Sequence, residues 1–130
     1  MGLLSGAQGD TGHSSLRQEQ GAWARLLGAG EQVTSVHRLG RSTLIFTNRR
    51  LVVVDEGLTG RQVEYQSLPY RAISSFSVEA SGAFGSEADL RIWVMGRTAP
   101  IERSFGQGTD VYAVQALLAC YVATGHAVPS

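Results

Sequence analysis

From residue 32 onward, apolar side chains come in short blocks, each closed by glycine, proline or asparagine. Blocks of this kind predict strands separated by tight turns. Residues 32–39 read as the first strand, with a turn at Gly40 and Arg41. STLIFT at 42–47 and RLVVVD at 50–55 are rich in β-branched and aromatic residues, and Asn48 and Arg49 between them fit a tight hairpin. Residues 62–68 alternate, with Val63 and Tyr65 on one side and Glu64 and Gln66 on the other, and Pro69 is expected to stop the strand. Residues 73–79, 89–95 and 101–105 complete seven strands with the short connections of an antiparallel meander.

Helical spacing appears at both ends of the chain. Leu16, Gln20, Trp23 and Leu27 predict a short helix over 15–27, with Ser15 and Gln18 as a capping box and Gly28 and Gly30 ending it. Near the C-terminus, Val111, Val114, Leu117, Leu118, Tyr121 and Val122 form a wide apolar stripe. That stripe predicts a helix over 110–124 with Thr109 as N-cap and Gly125 just past its end, laid over the sheet. The expected organisation is a flexible segment at 1–14, the short helix within 15–30, one domain over 31–125 and a tail at 126–130.

Length and charge narrow the function classes. The 130 residues fit one domain, which at this size buries a core without disulfides or metals. Formal net charge is zero, so no global field draws in nucleic acid or a membrane, and nucleic acid is not an expected partner. The lone Cys120 excludes an intramolecular disulfide and favours a reducing compartment. No apolar run approaches the ~20 residues that span a bilayer, and the first ten residues fit neither a signal peptide nor a myristoylation signal. The expected location is the cytoplasm, with the inner face of the membrane as a peripheral site.

Four segments go further than the pattern of elements. FTNRRLVVVD at 46–55, GLTGRQVEYQSLPYRAISSFSVE at 57–79, DLRIWVMG at 89–96 and GTDVYAVQALLACYV at 108–122 resemble the bacterial pleckstrin-homology (PH) domain family. The resemblance implies a mainly β, PH-like fold: a bent seven-stranded antiparallel sheet or barrel capped by a C-terminal helix. It also implies ring-shaped homo-oligomers, and it carries no established biochemical activity, because PH-like folds host many roles.

Candidate chemistry is sparse. Gly106 and Gly108 lie between a strand and a helix, but a third glycine is missing and Asp110 places negative charge where an anion would sit. No second histidine or carboxylate stands at metal-ligand spacing from His13, His37 or His126, and Cys120 has no catalytic partner in view. No cofactor, metal or catalytic residue is expected. In eukaryotic PH domains, basic residues around the first hairpin hold inositol phosphates. Here Arg38, Arg41, Arg49 and Arg50 are the corresponding candidate patch for anionic lipid or phosphate, with solvated turns and local salt bridges as the alternative.

The C-terminal helix carries no charge after Asp110. Opposite its apolar stripe stand Tyr112, Ala113, Ala116, Ala119, Cys120 and Ala123, a face small enough for close approach of another backbone. Contact with the N-terminal helix or a neighbouring subunit is one expectation, and an alanine-rich solvent face is the other. Trp93 and Met95 alternate with Leu90, Ile92 and Val94, which makes the sixth strand apolar on both faces. Trp93, Met95, Tyr112, Ala116, Ala119 and Cys120 are therefore the candidate oligomer interface. The expected function is a non-catalytic homo-oligomeric scaffold or protein-binding module, with itself and other proteins as partners. Weak peripheral binding of anionic lipid is the alternative.

Overall fold

The computed structural model describes residues 16–81, 87–106 and 109–123. Ser15, Gly108, Thr124, Gly125, His13, His126 and both predicted tails lie outside them. Residues 16–22 form helix α1, followed by a 3₁₀ turn at Ala24–Leu26. The strands are β1 (Val33–Leu39), β2 (Ser42–Thr47), β3 (Arg50–Glu56), β4 (Val63–Pro69), β5 (Ile73–Ser81), β6 (Glu87–Val94) and β7 (Ile101–Phe105). A second 3₁₀ turn, Tyr70–Ala72, links β4 to β5, and helix α2 spans Val111–Ala123.

All strand pairing is antiparallel, in two sheets ordered β1-β2-β3-β4 and β5-β6-β7. The expected barrel is not found: no ladder joins β4 to β5 or β7 to β1 among the described residues. Side chains bridge the two sheets instead. Arg103 on β7 donates from Nε to Asp55 on β3 at 2.9 Å, and Ser42 on β2 donates to the same carboxylate at 2.6 Å.

One core lies between the sheets and under α2. Leu44, Phe46, Leu51 and Val53 enter it from the first sheet, and Leu90, Ile92 and Val94 from the second. Val111, Val114, Leu118 and Tyr121 enter from α2. The Tyr121 ring stacks on Tyr70 at 4.4 Å between centroids and on Phe46 at 6.2 Å. The Tyr70 hydroxyl, buried, donates to the Thr47 carbonyl at 2.6 Å. Offset stacks of this kind add binding beyond the area they bury.

The first sheet is apolar on its outer face too. Val33, Ile45, Val52 and Val54 are buried there under Trp23, Leu26, Leu27 and Val36. This corrects two expectations. The N-terminal helix covers the outer face of the first sheet rather than the outer face of α2. It also does not run unbroken to Leu27: Leu26 N–H bonds to Trp23 C=O and Leu27 N–H to Ala24 C=O, the tighter i to i+3 pattern. The tightening places Trp23, Leu26 and Leu27 against the sheet.

Two further expectations are corrected. Asp110, not Thr109, caps α2: its Oδ1 accepts the N–H groups of Tyr112 at 3.0 Å and Ala113 at 3.2 Å. The Thr109 hydroxyl instead donates to the Arg38 carbonyl on β1 at 2.9 Å. Met95 lies past the end of β6, because the chain turns at Gly96, whose φ of 85° suits glycine.

Candidate functional site

The four arginines singled out from the sequence do not share one surface. Arg38 and Arg41 lie at one end of β2, Arg49 and Arg50 at the other. Six residues of strand separate them by about 17 Å. Arg38 makes a two-pronged bond to Glu19 of α1, at 2.8 and 3.0 Å. Arg41 donates one long bond, 3.4 Å, to the Gly57 carbonyl. The Arg49 guanidinium lies over Gly28 and Gly30 and makes no ion pair among the described residues. The φ of +77° at Gly30 favours glycine there, and a Cβ would stand 3.0 Å from the movable tip of Arg49 at Nη2.

Arg50 belongs to a clasp that the sequence did not disclose. Its Nε donates to Glu31 Oε2 at 2.8 Å and its Nη2 to Glu31 Oε1 at 3.0 Å. The same guanidinium reaches the Leu26 carbonyl and the Ser67 hydroxyl, each at 2.6 Å. Glu31 is only 5% exposed, and its carboxylate also takes the Gly28 N–H at 2.9 Å and the Thr47 hydroxyl at 2.7 Å. Burial pushes the Glu31 carboxyl up, but Arg50, the Gly28 N–H and Thr47 together outweigh it and hold it at about 2. Gln20 of α1 completes the clasp, donating to the Glu31 carbonyl at 3.1 Å and accepting from Val33 N–H at 2.8 Å. Asn48 closes the other side, with Oδ1 accepting Gln32 N–H at 2.8 Å. The Thr-Asn-Arg-Arg hairpin thus fastens α1 to the first sheet.

The interface candidates divide between two surfaces. Tyr112, Ala116, Ala119 and Cys120 are exposed and follow one another at helical spacing on α2, with Tyr112 at 59% exposure. Trp93 is half-buried on the face of the second sheet turned away from the core that α2 enters. Its neighbours on that face are polar: Arg91 pairs with both Glu79 and Glu102, and Ser104 bonds to Asp89. The two-sided apolar character expected of β6 is confined to its C-terminal end at Trp93, with Met95, 60% exposed, just past the strand. The α2 face from Tyr112 to Cys120 carries no charged side chain.

His37 faces the core side of β1, edge-on to Phe46 at 5.8 Å, with Nε2 2.6 Å from the Ser35 hydroxyl. Burial pushes its imidazole down, and the nearby Asp110 carboxylate opposes that. The open cleft beside it is lined by Val36, Arg38, Thr109 and Asp110 as well. Asp110 already occupies the N-terminal amides of α2, which leaves those donors no room for an anion beside Gly106. No group of three or more metal-ligating side chains exists among the described residues. No described helix is long and apolar enough to cross a membrane.

Seven antiparallel strands in two sheets, closed by one C-terminal helix, define a PH-like domain. Residues 2–122 match the bacterial PH domain family, and the chain belongs to that family. It is 37% identical over 121 residues to the uncharacterized Bacillus subtilis protein YjqA, covering 92% of this chain and 97% of YjqA. A second uncharacterized B. subtilis protein, YozO, is 32% identical over 93 residues, or 72% of this chain and 80% of YozO. Among solved structures, a pleckstrin homology domain from Shewanella amazonensis superposes with a TM-score of 0.74 at 34% identity, covering 83% of this chain and 98% of that one. A DUF1696 family protein with a pleckstrin-homology domain, from Shewanella loihica, gives a TM-score of 0.70 at 32% identity, covering 82% and 96%.

Proposed function

We propose that this protein is a non-catalytic, homo-oligomeric scaffold that offers protein-binding surfaces, and that the exposed face of α2 forms the seam between copies. The observation that carries this reading is the absence of charge on that face. From Val111 to Ala123 the helix has no ionisable acid or base except tyrosine and cysteine, and Tyr112, Ala116, Ala119 and Cys120 are turned outward. A solvent-facing helix of a small domain normally carries charged residues there. Small side chains let a second backbone approach closely, and an exposed aromatic supplies apolar area to bury. Zero net charge removes long-range repulsion between copies. Packed against a different surface of the next copy, this face makes a head-to-tail contact, which closes as a ring when the rotation between copies allows it.

The reading as a binder of anionic headgroups is the weaker one. Arg38 and Arg50 are committed to Glu19 and Glu31. Arg41 and Arg49 make no ion pair among the described residues, but they lie at opposite ends of β2. The test of the favoured reading is Ala119→Arg, which places a charge in the seam. A folded variant that runs at lower mass than wild type supports the seam. A folded variant of unchanged mass removes it.

A further inference from the structure

The formal charge of the chain sums to zero, but the fold does not spread it evenly. Three elements meet at the end of the first sheet where β3 begins. The β2–β3 hairpin supplies Arg49, whose guanidinium lies over Gly28 and Gly30. The 3₁₀ turn after α1 supplies Arg25, one residue before the Leu26 carbonyl that Arg50 binds at 2.6 Å. The turn Tyr70–Ala72 supplies Arg71. That turn is held at the same end, because Arg50 pairs with Pro69 across the ladder and the Tyr70 hydroxyl bonds the Thr47 carbonyl. Arg25, Arg49 and Arg71 are all exposed, and among the described residues none of the three makes an ion pair.

The carboxylate at this end is already engaged: both oxygens of the nearly buried Glu31 are bound by Arg50. Asp55, Glu56 and Glu64 stand at the far end of the β3–β4 ladder, about 17–20 Å away. Screening acts over roughly 8 Å at physiological ionic strength, so those acids do not cancel the field of the three arginines. One apolar side chain borders the cluster. Met95 is exposed, and its N–H donates to the Ala72 carbonyl at 2.8 Å, beside Arg71.

We propose that this arginine end docks a carboxylate-rich segment of a partner protein, with an apolar side chain of that segment seated on Met95. Charge complementarity selects an acidic occupant, and the type of base selects a protein segment over a lipid surface. All 11 basic residues of the chain are arginine. A guanidinium fork matches a discrete carboxylate in two-pronged fashion. The chain uses that geometry twice already, in Arg38 on Glu19 and Arg50 on Glu31. Three basic side chains and one methionine hold a protein only weakly on anionic lipid, since stable anchoring takes a second signal. The most exposed large apolar side chain among the described residues, Leu58, lies at the opposite end, between β3 and β4. The proposal supplies the partner chemistry for the protein-binding role put forward above, and it uses none of the α2 seam.

The test uses the full chain and three probes: a labelled glutamate-rich peptide with a central leucine, its glutamine counterpart, and vesicles containing phosphatidylglycerol. Fluorescence anisotropy reads the peptides, and sedimentation reads the vesicles. The expected result is binding of the glutamate peptide and not of the glutamine peptide, weakening as salt rises. Arg25→Gln, Arg49→Gln and Arg71→Gln each weaken it roughly two- to fivefold, and all three together about tenfold or more. Arg61→Gln, at the far end, leaves it unchanged. Equal binding of both peptides, no binding of the glutamate peptide at low salt, or undiminished binding by the folded triple variant overturns the proposal. Binding of the vesicles without the glutamate peptide also overturns it, in favour of lipid. Should one variant not fold, the other two decide. The two readings fail separately: Ala119→Arg alters mass and not peptide binding, and the arginine variants alter peptide binding and not mass. Arginine variants of lowered mass overturn the proposal, because the arginines would then serve contact between copies.

Discussion

Glu31 is the residue on which the attachment of α1 depends. A carboxylate that is nearly buried is tolerable only when every lone pair has a partner, and here Arg50, Thr47 and the Gly28 N–H supply them. Removing it leaves Arg50 with its charge partner gone, though that guanidinium is a quarter exposed and partly rehydrates. Glu31→Gln is expected to cost up to about 3 kcal/mol in chemical denaturation. A change within half a kcal/mol would show the clasp to be incidental. The pH dependence has a definite sign. The folded Glu31 carboxyl sits at about 2, below its unfolded value. Its contribution is therefore full above the ordinary carboxylate range and is lost as pH falls toward about 2. The imidazole of His37 is also pushed down, by burial, so its contribution is full above the ordinary histidine range and declines as pH falls through it. Melting temperature against pH should fall in two stages. Glu31→Gln should flatten the lower stage, and His37→Gln the upper. None of this clasp was legible beforehand. In the sequence, Glu31 is one polar residue after a glycine pair, and nothing local reveals that the hairpin at Asn48 folds back onto it. The sequence favoured solvated turns and local salt bridges for Arg50 over an outside anion, but it did not name Glu31, 19 residues away, as the partner.

At the scale of single elements, local pattern was a better guide. β2 and β7 lie where their β-branched and aromatic runs placed them, and the apolar stripe of α2 faces the core as its spacing required. Leu118 is fully buried beneath α2, and Leu118→Ala should cost about 2–5 kcal/mol. A loss below half a kcal/mol would mean that this face is not core. Helix ends were less legible. Thr109 and Asp110 are both good caps by type, and only the pull of the β1 carbonyl on Thr109 assigns the role to Asp110. Asp110→Ala should therefore destabilise by about 1 kcal/mol, and Thr109→Ala should leave α2 capped. The same loss from both variants would indicate that the two residues share the cap. The break in α1 was hidden for a related reason. Helical spacing continues through Leu27, but the apolar outer face of β2 and β3 draws Trp23, Leu26 and Leu27 into a tighter turn.

For the whole molecule, the PH-like fold was readable because its strand spacing, hairpin and final helix all agree. The division into two sheets was not, since an alternating strand looks the same whether its edge is paired or open. How copies meet is likewise a property of surfaces that the chain does not compose in one stretch. The candidate interface drawn from the sequence mixed α2 with Trp93, which the fold sets on a different surface. The uncharged α2 face is the seam proposed here between copies. The account rests on assembly, so the most direct measurement is the mass of wild-type protein in solution at tens of micromolar by sedimentation velocity. The prediction is a single species at a multiple of the 13.9 kDa chain, lowered by Ala119→Arg. A wild type that sediments as a monomer throughout that range contradicts it.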